Sequence, residues 1–152
     1  MNDPMINHLK TDIDLARRAV TVFNQTATRA RRLLDEAAVR PLTDDERETL
    51  EALTARYGRA LDFLTQKLLR TIDRVELTDE GSVLDRVNRF KKRKVLRDEV
   101  NYAQLKDLRN QIVHEYVIDE TNRVVVEVLN FAPLIAEMFA KSEEYCRKNG
   151  FI

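Results

Sequence analysis

The sequence predicts a single all-α domain covering residues 1–152, built as an up-and-down bundle of four to five helices. The chain has the length of one domain. It contains only three Gly and three Pro, so few positions would interrupt a helix. Apolar residues recur at intervals of three or four through most of the chain, which is the period of amphipathic helices. A chain of this length buries roughly two thirds of its unfolded surface, so the core needs no disulfide.

The first predicted helix runs from Ile6 to about Ala38. Its apolar stripe consists of Ile6, Leu9, Ile13, Ala16, Val20, Phe23, Ala27, Ala30 and Leu34. Because Pro41 disfavours helical geometry in the residue before it, the helix should end before Arg40.

The second predicted helix begins at a capping box formed by Thr43 and Glu46 and continues to about Asp73. Its apolar positions are Leu50, Leu53, Tyr57, Ala60, Leu61, Leu64, Leu68 and Ile72. One glycine, Gly58, is tolerated inside it. The segment from Arg74 to Ser82, which contains Thr78, Asp79 and Gly81, predicts a turn or short loop.

The third predicted helix is short and ends in the basic run from Lys91 to Lys94. Its apolar positions are Val83, Leu84, Val87 and Phe90. Cations at a helix C-terminus suit the helix dipole, which is one interpretation of the run. Contact with an RNA backbone is the other, and it makes Lys91, Lys92, Arg93 and Arg97 candidate RNA-binding residues.

The fourth predicted helix spans about Asp98 to Tyr116, and the fifth follows a connection from Val117 to Asn122. Apolar positions of the fourth helix are Val100, Leu105, Leu108, Ile112 and Val113. Those of the fifth are Val124, Val125, Val128, Leu129, Phe131, Leu134, Ile135, Met138 and Phe139. Pro133 should kink the fifth helix, which ends before the C-cap pattern of Asn149 and Gly150. Five helices with short connections favour an up-and-down bundle.

Composition narrows the class of protein. The formal net charge is zero, with 26 basic and 26 acidic side chains, so affinity for a nucleic acid would have to come from local clustering of cations. The N-terminus lacks the apolar segment of a signal peptide and no stretch has the length of a membrane span, so a cytoplasmic protein is expected. The single cysteine, Cys146, is expected to pack rather than to react.

Four polar residues near the end of the fourth helix form a candidate site: Arg109, Asn110, His114 and Tyr116. At about 100° per residue, Arg109 and Tyr116 share a helix face, and Asn110 is four residues from His114. Such a set suits metal-free RNA cleavage by the RNA's own 2′-hydroxyl. An imidazole can move the protons, and a guanidinium can stabilise the crowded phosphorane. A purely structural Arg–His pair is the alternative.

A single histidine in this region cannot readily act as both base and acid in one turnover. We therefore expect two copies of the helix to meet across a two-fold axis, giving a homodimer with a composite site. No second His or Cys lies at metal-ligand spacing from His114, so neither a metal nor another cofactor is expected. Glycine-rich phosphate loops are absent from the sequence, which argues against a nucleotidyltransferase in this chain.

The segment LRNQIVHEY, Leu108 to Tyr116, resembles the Arg-polar-x3-His motif of the HEPN superfamily, and the added tyrosine resembles its HepT-like branch. The resemblance extends to the segments 46–77 and 81–96, which are similar to the second and third helices of that group. It implies a HEPN-like homodimer and a metal-independent ribonuclease toxin with Arg109 and His114 catalytic. Asn110 would support the pair.

The resemblance also implies a toxin–antitoxin system of a type II- or VII-like kind. Its antitoxin is a minimal nucleotidyltransferase that can attach AMP to the residue matching Tyr116. Two function classes remain open: a ribonuclease toxin acting on RNA, or a non-catalytic helical subunit that presents substrate to a nucleotidyltransferase or stabilises it.

Overall fold

A computed structural model describes residues 3–114 and 121–152, without the side chains of His114, Thr121 and Asn122. Its helices are α1 (Pro4–Ala37), α2 (Asp44–Asp62), a π-helical segment (Phe63–Leu68), α3 (Leu69–Val75), α4 (Val83–Lys92), α5 (Tyr102–His114) and α6 (Thr121–Lys148). Within these ranges the chain forms no β-strand, so the prediction of an all-α fold is confirmed. The predicted connection from Val117 to Asn122 lies mostly outside the described residues.

Helix α1 begins where the sequence offers both a cap and a proline. The carboxylate of Asp3 accepts a hydrogen bond of 2.9 Å from the backbone N–H of Met5, and Pro4 occupies the first turn, where a missing N–H costs nothing. The predicted apolar stripe is buried from Leu9 to Ala30. The helix ends at Ala37, one residue before the predicted end.

One continuous helical rod runs from Asp44 to Val75 through α2, the π-helical segment and α3. The predicted capping box is present, with Glu46 N–H to Thr43 Oγ1 at 3.2 Å and Thr43 N–H to Glu46 Oε1 at 2.9 Å. Within the π-helical segment the hydrogen bonds widen, and the N–H of Leu69 bonds to the carbonyl of Leu64, five residues back. The apolar pattern of the sequence did not predict this change.

The core lies where α1, α2 and α6 pack against one another in pairs, and α5 packs on α2 and α6. Its largest fully buried side chains are Tyr57, Phe23, Leu9, Leu50, Leu53, Leu64, Leu68, Leu69, Ile72, Leu96, Leu105 and Leu108. Pro133 lies inside α6, as predicted. The described helices thus form an all-α bundle.

Helix α4 begins at a second capping box, in which Ser82 and Asp85 bond to one another's backbone N–H groups at 3.2 and 2.8 Å. Gly81 precedes it with φ +98°, where a Cβ would lie only 2.4 Å from Asp85 Oδ2. A side chain at position 81 would therefore be strained by its backbone and would collide with the cap.

Helix α5 begins at Tyr102, four residues later than the sequence predicted. The side-chain oxygen of Asn101 accepts a hydrogen bond of 3.0 Å from the N–H of Ala103, which is the geometry of an N-cap. The buried hydroxyl of Tyr57 donates a bond of 2.8 Å to the carbonyl of Leu105. This bond joins α5 to α2 one turn before Arg109.

Candidate active-site groove

Arg109 reaches from α5 to α2. Its Nη2 lies 3.0 Å from Oδ2 of Asp62, and its Nη1 donates to Oδ1 of Asn110 at 3.4 Å. The Arg109 side chain is 32% exposed, so it keeps contact with solvent. A Cβ at Gly58 would lie 3.8 Å from Arg109 Cγ, which places the stem close to the surface of α2.

Arg109 and Asn110 line a groove of about 390 Å³ between α2, the π-helical segment and α5. The remaining lining residues are Arg59, Leu61, Asp62, Phe63, Thr65, Gln66, Lys67, Tyr102 and Lys106. Four of the lining side chains are cationic and one is a carboxylate, for a net formal charge of +3. Such a concave, predominantly cationic surface attracts anions even in a chain of zero net charge.

Helical spacing brings the groove residues of α5 to one side. Tyr102, Lys106, Arg109 and Asn110 are offset by four, seven and eight residues from the first, so they share a face. The opposite wall comes from the end of α2 and the π-helical segment. Because π turns are frequent at functional sites, the change of helical geometry at this wall fits a binding surface.

The groove also has an aromatic component. Tyr102 is buried, and this burial raises the pKa of its hydroxyl. A hydrogen bond with Thr65 opposes the shift, and the nearby charge of Asp62 adds to it. The ammonium of Lys67 lies 6.0 Å from the centre of the Phe63 ring, a cation–π contact. The wall can therefore offer apolar as well as charged contacts.

The other side of α5 has the opposite electrostatic character. A concavity there is lined by Gln104, Asp107, Leu108, Gln111, Glu127, Asn130 and Phe131. Its described lining includes two carboxylates and no cation. Oε1 of Gln111 is buried there without a hydrogen-bond partner among the described residues. Cationic and acidic surfaces thus flank the same helix.

The structure describes half of the predicted motif. Arg109 and Asn110 lie side by side in the groove. His114 is the last residue of α5, five residues and about 7.5 Å along the helix axis from Arg109. Tyr116 lies outside the described residues. The predicted relation of Arg109 and Asn110 to the side chains of His114 and Tyr116 stays a prediction.

The four candidate RNA-binding cations do not form one free basic surface. Lys91 donates to the carbonyl of Asp98 at 3.0 Å, and Lys92 is exposed. Arg97 is engaged by Glu137, with its Nε 2.8 Å from Oε1. Arg93 turns into the protein, where only 6% of its side chain is exposed.

Arg93 is therefore a correction to the candidate RNA-binding residues of the basic run, because its side chain is buried in ion pairs. It pairs with Asp73, whose side chain is 1% exposed, and its Nη2 lies 3.0 Å from Oε2 of Glu76. Burial lowers the pKa of Arg93, but hydrogen bonds with Asp73 and Glu76 outweigh burial and leave that pKa raised. Arg89, with Nη2 3.2 Å from Asp73 Oδ2, completes the cluster. Arg93 is thus a structural ion-pair partner that connects the end of α4 to α3.

Three groove cations, Arg59, Lys67 and Lys106, were missed by sequence analysis, as was the carboxylate of Asp62. Each is an isolated charge on the polar side of an amphipathic helix, where charges are ordinary. A helical-wheel comparison with Arg109 could have found Lys106, which lies three residues earlier on the same helix. The residues contributed by α2 and the π-helical segment become neighbours only through the packing of the helices.

Other chemistry is not apparent among residues 3–114 and 121–152. They contain no group of three or more His, Cys, Asp or Glu side chains arranged to hold a metal ion. Cys146 is buried, and burial raises the pKa of its thiol to about 11, which suits the expected packing role. None of the described helices is both long enough and apolar enough to cross a membrane.

Comparison with known proteins finds no matching family model, and no curated protein or solved structure matches at a significant level. The function of the groove is therefore inferred from its own residues and their geometry. The most informative feature is that the motif residue Arg109 lies among three further cations.

Proposed function

We propose that this protein is a metal-independent endoribonuclease toxin that cleaves RNA with Arg109 and His114, supported by Asn110. The observation that carries the proposal is the position of Arg109, partly exposed in a cationic groove. A guanidinium presented in this way suits a phosphodiester, because its planar fork of donors matches phosphate oxygens.

In the proposed reaction a base removes the proton of the RNA 2′-hydroxyl, and the 2′-oxygen attacks the adjacent phosphorus. Arg109 stabilises the negative charge that builds up on the non-bridging oxygens. The bond from phosphorus to the 5′-oxygen breaks, and an acid protonates that oxygen. The products are a 2′,3′-cyclic phosphate and a 5′-hydroxyl, so no external nucleophile is consumed.

The base and the acid are assigned to His114 from each of two chains. One imidazole starts neutral and accepts the 2′-proton, while the other starts protonated and donates to the leaving oxygen. This division of roles requires a two-fold homodimer in which the α5 helices approach one another. Sedimentation at micromolar concentration should give twice the chain mass, and a monomer with undiminished cleavage would contradict the composite site.

Neutralisation is assigned to a cognate minimal nucleotidyltransferase acting on Tyr116. The tyrosine oxygen would attack the α-phosphorus of ATP, forming Tyr–AMP and releasing pyrophosphate and the hydroxyl proton. The added anion would compete with RNA for the cations around Arg109. Tyr116→Phe keeps the ring but lacks the accepting oxygen, so this variant should cleave RNA and resist neutralisation. Neutralisation of Tyr116→Phe as effective as that of the unaltered chain would contradict this role.

Expression of the chain alone tests the proposed toxicity. Growth arrest is expected from the unaltered chain and not from Arg109→Ala, with Lys10→Ala as the control because Lys10 is an exposed cation outside the groove. Far-ultraviolet circular dichroism should show the same helix content in all three. Equal arrest by the unaltered chain and a folded Arg109→Ala would leave the protein as a non-catalytic partner of a nucleotidyltransferase.

A further inference from the structure

We propose that Arg59, Lys67 and Lys106 form a binding site for the phosphates of single-stranded RNA next to the bond held at Arg109. The inference rests on the proposed ribonuclease function and deepens it by naming residues outside the motif. All three residues are exposed and line the same groove as Arg109.

The three cations are available for a ligand. Within the described part of the chain, no carboxylate oxygen lies within 4.0 Å of the charged nitrogens of Arg59, Lys67 or Lys106. Arg97 and Arg40, by contrast, are engaged by neighbouring glutamates. A cation without a carboxylate partner can contact a phosphate without first breaking an ion pair. Each such contact also releases counter-ions from the RNA.

The size of the groove favours a strand over a duplex. A volume of about 390 Å³ lies in the range of pockets that enclose a small-molecule-sized group, which here corresponds to a single nucleotide unit. Double-stranded RNA is instead contacted across a broad, shallow minor groove. The Phe63 ring in the wall offers an apolar surface to a base, as single-strand binders do.

Asp62 adds selectivity to the same site. Its carboxylate already occupies one edge of the Arg109 guanidinium at 3.0 Å, so an isolated phosphate has to compete with it. A nucleotide within a strand has a phosphate on each side, so contacts of these phosphates with Lys67, Lys106 or Arg59 as well as with Arg109 outcompete the single carboxylate. A strand should therefore bind more tightly than a mononucleotide.

A binding measurement with an uncleavable probe separates this site from catalysis. The probe is a fluorescent 2′-O-methyl RNA 12-mer, which lacks the proposed nucleophile, and its dissociation constant is followed by anisotropy at several salt concentrations. The variants are Lys67→Gln and Lys106→Gln. The control is Lys10→Gln, because Lys10 is exposed on α1 and is not among the groove residues.

Each groove variant should weaken binding roughly fivefold, the effect of one unit charge about 4 Å from a phosphate in water. Each should also reduce the slope of log affinity against log salt by about 0.7. Lys10→Gln should change neither quantity. Groove variants that match Lys10→Gln would overturn the site, as would an unaltered chain that does not bind the probe.

Competition identifies the ligand. AMP and inorganic phosphate should displace the probe only at concentrations far above that of the unlabelled 12-mer, and a duplex of the same length should also compete more weakly. AMP or duplex competing as well as the strand would overturn the assignment to single-stranded RNA. If the groove variants lose probe binding while the unaltered chain cleaves no RNA, the groove stands and the ribonuclease proposal fails. If the unaltered chain cleaves RNA while the groove variants bind the probe unchanged, the ribonuclease proposal stands and the groove site fails.

Discussion

Arg109 and Asp62 form an ion pair between α5 and α2, with Nη2 and Oδ2 3.0 Å apart. The two side chains are 32% and 43% exposed, so the pair should contribute less than about 1 kcal/mol to stability. Its importance is positional: it holds the motif guanidinium in the groove before a ligand arrives. An incoming phosphate takes over a donor that the protein has already oriented.

Replacing Asp62 with Asn should therefore tighten binding of an uncleavable RNA strand. The substitution removes the only carboxylate among the described lining residues of the groove while keeping the size of the side chain. Anisotropy titration of the 2′-O-methyl probe measures the effect, and urea unfolding should show a stability change below about 1 kcal/mol. Weaker probe binding by a folded Asp62→Asn would mean that orienting Arg109 matters more than relieving competition.

Tyr57→Phe should loosen α5 without unfolding the bundle. The lost hydrogen bond, 2.8 Å from the Tyr57 hydroxyl to the Leu105 carbonyl, should cost about 0.5–1.5 kcal/mol. The cost stays modest because the same carbonyl is the regular helical acceptor for the Arg109 N–H. Urea unfolding measures the change in the free energy of unfolding. Relative to the unaltered chain, amide hydrogen exchange should accelerate more in α5 than in α1. Exchange rates equal to those of the unaltered chain in both helices would show that the Tyr57 hydroxyl does not stabilise α5.

Arg93→Gln should destabilise the protein by about 3–5 kcal/mol, because it leaves the buried carboxylate of Asp73 short of a partner. Arg89 retains a contact with Asp73, which favours the lower end of that range. Lys92→Gln, at the neighbouring exposed position, should change stability by less than about 0.5 kcal/mol. Similar midpoints for the two variants in thermal unfolding would refute the structural role of Arg93.

Arg97→Gln should change the titration of Glu137. Hydrogen bonds from Arg97 and then Lys141 lower the pKa of Glu137 to about 2. A lowered carboxyl pKa stabilises the fold above the unfolded value near 4.5, and that stabilisation is lost as the pH falls towards 2. The stability difference between the unaltered chain and Arg97→Gln should thus be present at pH 7 and vanish near pH 2. An NMR titration of Glu137 that shows no upward shift in the variant would exclude Arg97 as the main cause.

Much of the fold follows from local sequence patterns. The recurrence of apolar residues at every third or fourth position predicted the helices. The Thr43–Glu46 capping box located the start of α2 to the residue. The start of α5 was placed too early because Val100 extends the apolar pattern backwards. The side chain of Asn101 caps the helix instead. Local hydrogen bonding prevailed over periodicity at that end.

The groove could be predicted only in part. Arg109 and Asn110 are adjacent in sequence, so their proximity required no tertiary information. Asp62 and Lys67 join them through the packing of α2 against α5 and the widened turns of the π-helical segment. Arg93 was misassigned because a run of cations conceals which member faces inward. Its direction is set by Asp73, twenty residues away in sequence.

The ends of the RNA products test the central claim most directly. The purified protein should cleave RNA in excess EDTA and leave 2′,3′-cyclic phosphates and 5′-hydroxyls, since the substrate's own hydroxyl is the nucleophile. His114→Ala should slow this cleavage roughly 10²- to 10⁴-fold while the helices stay folded. Products ending in 3′-hydroxyls and 5′-phosphates, or full activity in a folded His114→Ala, would contradict the account.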